Sequence, residues 1–406
     1  MKPWLPVVRH GIDLSPAEIA GVISDMASDR VAEGPEQGAF EDDFARYHDR
    51  RFAVSFSSGR SALYAFIGSL GLPEKSEIII PAYTFFTIPE VVKACGHTPV
   101  FAPCHPLNYA LDPGKLETFI TPRTAAVIVI HPFGQPAPMG ELVAVASRRG
   151  LPVIEDPSQS IGARFKGRVA GCFGAGACFS LVHGKNMTAF GGGMLLTDDE
   201  RIYSCALSMQ TAAARPRPST VRSAALGGLL QWFFTTRHGY LLGPFMPFYA
   251  LSALDRGRLD RMFEEQREIF SPGSMSPLSN LQSALGRRQL ARLDGLNAIR
   301  RRNAGLLLEG LKGVGRLRLP ETVDGAEGTW NSFPVRVPRA VEFQRAMMLH
   351  GIDTRRDYMD ICDFREEWAS YGEVVYLPNH PGVAEEDVGR IVDRVREFME
   401  RAGDAK

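Results

Sequence analysis

Between residues 51 and 199 the chain alternates short apolar runs with helical stretches, and no other feature restricts its fold as much. The runs "RFAVSFSSG", "SEIIIPAY", "TPVFAPC", "TAAVIVIHPFG", "LPVIEDPSQ", "AGACFSL" and "GGGMLLTDD" are β-branched or apolar and end in Gly, Pro or Asp, the mark of buried strands. Between them lie "SALYAFIGSLG", "TIPEVVKACG" and "MGELVAVASRRG", helical in period, the last two closed by glycine. Strands and helices in this alternation predict an α/β fold with a mostly parallel, doubly wound sheet. Such sheets bind ligands at the carboxyl ends of their strands, which is where "SSGRS", "EDPSQ" and "HGKN" fall.

At 406 residues the chain calls for two or three domains. Lys plus Arg and Asp plus Glu are 46 each, so no net positive field recommends nucleic acid as a partner. The six cysteines form no C-x-x-C pair or zinc-like cluster, and reduced thiols are expected. The N-terminal "MKPWLPVVRHGIDL" has no apolar core of signal length, so a cytoplasmic protein is expected.

Past residue 201 the character changes. A Pro/Arg-rich connector, "AAARPRPSTVRS", leads into "AALGGLLQWFFTTRHGYLLGPFMPFYALSAL", an apolar and aromatic stretch broken by Arg237, His238, Gly243, Pro244 and Pro247. The breaks exclude a spanning helix, which needs about 20 apolar residues in a row. A buried helical hairpin, a subunit contact, or a patch over 224–252 touching a membrane or a lipid-linked substrate all fit. The helix "NLQSALGRRQLARLDGLNAIRRRNAGLLLEGL" carries six arginines, expected on a solvated face or paired with a partner subunit.

The chemistry centres on four stretches. Asp156 directly follows an apolar strand, where its carboxylate reaches a pocket or caps the next helix. Lys185 follows the next strand. A lysine and a carboxylate at neighbouring strand ends are what pyridoxal phosphate chemistry requires: the amine forms a Schiff base with the aldehyde and the carboxylate keeps the pyridine nitrogen protonated. "SFSSGRSALYAF" ends a strand in Ser-Ser-Gly and opens into a helix, either a plain serine cap or an anion site with Ser57, Ser58 and Ser61 as hydroxyl donors. Arg60 adds a positive charge there or points to solvent. Tyr83, Phe85 and Phe86 offer a flat face for a ring.

In this order the elements resemble the DegT/DnrJ/StrS-type sugar aminotransferases, fold type I pyridoxal phosphate enzymes with an aspartate aminotransferase-like fold. The resemblance runs through "GAFEDDFARY", "IIIPAYTFFTIPEVVKACGHTPVFA", "VIVIHPFGQPAPM", "IEDPSQSIGARFKG", "FSLVHGKNMTAFGGGMLLTDD", "LQSALGRRQLARLD" and "YLPNHPGVAEEDVGRIV". It implies a large cofactor domain over 1–260, with an apolar insert around 215–255, and a smaller C-terminal α/β domain over 261–406. It implies Lys185 as the Schiff-base lysine, Asp156 as the pyridinium partner, Gln159 facing the ring oxygen and Phe85 stacked on the ring. Ser58, Gly59, Arg60 and Ser180 would hold the phosphate. It further implies a homodimer, glutamate as amino donor and a nucleotide-linked keto sugar as acceptor. A lipid-linked or carrier-bound carbonyl substrate is the alternative, and a non-catalytic cofactor-binding regulator a second one. Related dehydratases carry histidine in place of the lysine; Lys185 favours transamination, with His183 an ordinary loop residue.

Three positions depart from the family pattern. Arg60 stands where threonine is usual. "GSMSPL" replaces a partner-subunit loop resembling G-Y-N-Y-R-M, with Met275 and Pro277 at the asparagine and arginine positions. Gly191 stands where glutamate is usual. The first two combine into one expectation, that Arg60 supplies within the subunit the phosphate charge a neighbour would otherwise lend. Arg355, Arg356 and Tyr358 are candidate substrate contacts.

Overall fold

The computed structural model describes residues 5–254, 274–356, 359–361 and 373–404. The expected domain boundary at 260/261, Tyr358 and Cys362 lie outside the described residues. Seven strands form the main sheet: β1 (Phe52–Phe56), β2 (Glu77–Pro81), β3 (Thr98–Ala102), β4 (Thr124–Ile130), β5 (Val153–Asp156), β6 (Gly176–Ser180) and β7 (Gly193–Thr197). Their order is β1-β7-β6-β5-β4-β2-β3. Only β7 runs against the others, antiparallel to both β1 and β6.

Both faces of the sheet are covered, which is why its strands are apolar without polar alternation. Successive residues still point to opposite layers. Ile78, Ile80, Ile128 and Ile130 join one core with α3 (Gly59–Ser69), α4 (Thr87–Ala94) and α6 (Glu200–Thr211). Ile79, Val127 and Val129 face the other way, onto α5 (Met139–Arg148). On that second face Phe179, Met194 and Leu196 also meet Phe40 and Phe44 of α2 (Glu36–Tyr47) and Leu290 and Leu293 of α9 (Asn280–Leu311).

The far end of α9 joins a separate core built on the antiparallel pair β8 (Phe333–Arg336) and β9 (Val374–Leu377), with α10 (Ala340–Leu349) and α11 (Glu385–Asp404). The arginines of α9 bear out the expectation of a solvated face at Arg301 and Arg302, which are exposed, and correct it at the other four. Arg287 pairs with Glu36 and Asp43, Arg288 with Asp25, and Arg292 with Asp13 and Glu18, all within this chain. Arg300 is fully buried.

The apolar insert is helical but not the expected hairpin: α7 (Pro218–Thr235), a turn over Arg237–Tyr240, a π-helical turn over Leu241–Phe245 that holds Pro244, and α8 (Met246–Leu254) follow one another, and α7 and α8 join different clusters. Val221 and Ala225 of α7 pack with Val22 of α1 (Pro16–Ala27) and with Leu281 and Leu285 of α9. Tyr240 and Phe245 pack with Val8 and Met348. Among the described residues no helix is long and apolar enough to cross a membrane.

Candidate active site

A cavity of about 480 Å³ opens at the carboxyl ends of the parallel strands, within the range of about 300–1,000 Å³ usual for cofactor sites. Ser58, Gly59, Arg60, Phe85, Asp156, Gln159, Ser180 and Lys185 all line it. The sheet does the gathering: Asp156 ends β5, Ser180 ends β6, and the serine turn follows β1.

Asp156 is held by its own turn, its Oδ1 accepting the Ser158 N–H at 3.0 Å. Ser158 in turn accepts the Ser180 N–H at 2.9 Å, tying the ends of β5 and β6 together. Gln159 is buried, with Oε1 accepting the Phe133 N–H at 3.0 Å and Nε2 directed at Met359 Sδ at 3.5 Å. Beneath Asp156 lies Glu155, fully buried. It accepts the N–H groups of Gly171, Phe173 and Gly174 and faces His131 Nε2 at 3.2 Å. Burial pushes its pKa up, but His131 and these backbone donors outweigh it and hold the group below the usual carboxylate value. Glu155 is structural support for the strand end that carries Asp156.

The loop bearing Lys185 is pinned on both sides of the lysine. Asn331 donates to the Gly184 carbonyl at 3.0 Å. The Arg300 guanidinium donates to the Asn186 carbonyl at 3.1 Å, and the Asn186 side chain bonds Asn297 and the Ile161 N–H. Burial lowers the Arg300 pKa to about 10, which leaves it charged at neutral pH. Neither Arg300 nor Asn331 was legible as a site residue, since both act on the lysine loop through backbone carbonyls.

The three glycines after the loop let two chain segments cross. A Cβ on Gly193 would lie 2.5 Å from Gly59 N and Ser58 C, and one on Gly59 would lie 2.9 Å from Ser180 Cβ. The serine turn therefore sits directly against the lysine strand. Ser58 caps α3, its hydroxyl accepting the Ser61 N–H at 3.1 Å. The expectation that Ser57 and Ser61 present hydroxyls to an anion is corrected. Both donate to the Ser274 carbonyl, at 2.6 and 2.7 Å, so Ser274 closes over the turn of its own chain. Met275 packs on the core under that turn. Arg60 lines the cavity half-buried.

The opposite wall comes from distant segments: Arg9 and His10, Asn331 and Ser332, Arg355, Tyr376, and Gln231 of the insert. Arg9 forms a two-pronged pair with Asp353 at 2.6 and 2.7 Å, and Tyr240 donates to the same carboxylate at 2.5 Å. His10 is pushed well below the usual histidine value by burial and by the neighbouring cations Arg9 and Arg355, so it is neutral. His183, expected as an ordinary loop residue, also lines the cavity. Arg356 does not; its guanidinium donates to Gln344 at 3.2 Å.

A seven-stranded sheet with one reversed strand, and a lysine loop beside a strand-end carboxylate, are the architecture of the fold type I aminotransferases. Comparison with known proteins narrows the class. The model of the DegT/DnrJ/EryC1/StrS aminotransferase family matches residues 13–228 and 247–396. The chain is 29% identical to dTDP-3-amino-3,4,6-trideoxy-alpha-D-glucose transaminase of Streptomyces venezuelae, over 99% of this chain and 97% of that protein. It is 30% identical to the erythromycin biosynthesis sensory transduction protein EryC1 of Saccharopolyspora erythraea, over 88% of this chain and 89% of that one. The crystal structure of DesV from S. venezuelae superposes with a TM-score of 0.73 at 29% identity, covering 98% of this chain and 99% of DesV. The chain belongs to the DegT/DnrJ/EryC1/StrS aminotransferase family and is an aminotransferase. The stretch the family model leaves unmatched, 229–246, falls inside the apolar insert.

Proposed function

We propose that the protein moves an amino group from glutamate to the carbonyl of a nucleotide-linked keto sugar, using pyridoxal 5'-phosphate held between Asp156 and Lys185. The observation that carries this reading is the shared cavity of that carboxylate and that amine. The cavity suits the cofactor in size and in its donor set. Gly59 brings the start of α3 against Ser180 with no side chain between them, Phe85 offers an aromatic wall, and among the described residues the second Asp156 oxygen meets no protein donor. When bound, the cofactor supplies the electron sink that stabilises a substrate carbanion.

The residues then divide the work. Lys185 would hold the cofactor covalently and, once released by substrate, would move the proton between the substrate carbon and the cofactor carbon. Asp156 keeps the ring nitrogen protonated as a charge partner. Ser58, Gly59 and Ser180 receive the phosphate at the α3 N-terminus, where the helix dipole favours an anion. With Ser57 and Ser61 committed to Ser274, the positive charge falls to Arg60. No carboxylate or hydrogen-bond acceptor engages Arg60 among the described residues. Gln159 would face the ring oxygen. A cytoplasmic homodimer completes the reading, following the family resemblance. The intact lysine–carboxylate pair argues against a purely regulatory protein.

The test is spectroscopic. Purified protein given pyridoxal phosphate turns yellow, and glutamate bleaches it with release of 2-oxoglutarate; Lys185→Ala removes the lysine-dependent band and the turnover. Protein that stays colourless with added cofactor would defeat the proposal. Arg60→Thr raises the cofactor Kd by about tenfold to a hundredfold, as loss of a charged contact worth about 1.5–3 kcal/mol requires. An unchanged Kd in equilibrium dialysis would remove Arg60 from the phosphate site.

A further inference from the structure

We propose that the outer face of α7 and the turn after it dock on an anionic lipid bilayer, holding the mouth of the catalytic cavity at the membrane surface. α7 is apolar on both sides. Its inner side, Val221 and Ala225, is buried in the chain's own core. Its outer side carries Leu226, Leu230 and Phe233 at helical spacing, and these, with Phe234, Leu242 and Met246, are between 41% and 79% exposed. A helix apolar all round is one covered all round, so the outer face has an occupant.

Charge identifies that occupant. From Arg201 to Leu254 the sequence has no Asp or Glu, while it has Arg201, Arg215, Arg217, Arg222 and Arg237. Arg237 is neutralised by Asp387. Around α7 itself, Arg215 meets only the Gln37 amide oxygen, Arg222 only the carbonyls of Met26 and Ser28, and Arg217 is exposed. Among the described residues no carboxylate answers these three. A second copy of the chain could answer these arginines only with carboxylates from outside the 201–254 stretch, which holds none. An anionic lipid surface offers the opposite charge at the headgroups and an apolar layer for the leucines and phenylalanines. No described helix is long and apolar enough to span the bilayer, so the attachment is peripheral.

The face is fixed to the site. Gln231, one residue past Leu230, lines the catalytic cavity. A Cβ on Gly228 would lie 2.4 Å from the ring of Phe190, so α7 rests on the loop that carries Lys185. Thr235 accepts the Ile12 N–H at 3.2 Å and locks the other end.

Cosedimentation tests the proposal with the cofactor-loaded full chain and vesicles of phosphatidylcholine, alone or mixed with phosphatidylglycerol. Wild type sediments with the mixed vesicles, is released by high salt, and stays in solution with phosphatidylcholine alone. The double variant Leu230→Glu, Phe233→Glu partitions at least about tenfold less while keeping the wild-type colour and glutamate bleaching. Wild type remaining in solution with both vesicle types would overturn the proposal. So would a double variant that sediments like wild type. A variant that falls from dimer to monomer in sedimentation velocity, with wild type ignoring vesicles, would assign the face to a second copy instead. Glutamate bleaching is read without lipid, so its failure counts against the proposed reaction and leaves the docking result to stand by itself.

Discussion

At the scale of single residues, Lys185 and Asp156 were legible because each follows a recognisable strand and the two strands are neighbours in the sheet. Ser57 and Ser61 misled for a physical reason: a hydroxyl in a turn serves a passing carbonyl as readily as an anion, and the sequence does not say that Ser274 passes there. Gly191 departs from the family pattern, and its backbone explains why glutamate no longer fits. It has φ of +128°, a conformation that residues with a Cβ rarely adopt. Gly191→Glu is expected to cost about 1–3 kcal/mol, read as a lower Tm without any gain in turnover; an unchanged Tm would mean the loop relaxes freely.

At the scale of elements, the strands and the helices between them follow from apolar period and terminal glycines, and all seven sheet strands formed where the apolar runs lie. The partners of Arg287, Arg288 and Arg292 were not legible, because a helix face reads as polar whether it meets water or carboxylates of α1, α2 and the segment before α1. Arg300 is the sharpest case, a buried cation that pairs with no carboxylate among the described residues and donates to Asn297 and to the carbonyl of Asn186 beside Lys185. Arg300→Leu leaves that carbonyl without its donor, a loss of about 1–3 kcal/mol. The glutamate half-reaction should slow by about tenfold or more while cofactor loading changes little. Equal losses in both would instead point to general unfolding.

At the scale of the molecule, two buried histidines far apart in the chain contribute to its response to acid. His48 donates to the Phe44 carbonyl, and His380 uses both ring nitrogens, toward Val8 O and the Gly382 N–H. Burial lowers both to about 4, against about 6.5 in an unfolded chain. The unfolded state therefore takes up protons first. The contribution is complete above pH 6.5 and is lost as pH falls toward 4. Tm should drop across that window, less steeply in His380→Gln; a flat Tm would mean that neither ring stays neutral in the fold. The reaction itself is best tested by the visible spectrum of purified protein mixed with pyridoxal phosphate and then glutamate. A yellow, Lys185-dependent band that glutamate bleaches and a nucleotide-linked keto sugar restores is the predicted result. A colourless protein, or a band that survives Lys185→Ala and ignores glutamate, would contradict it.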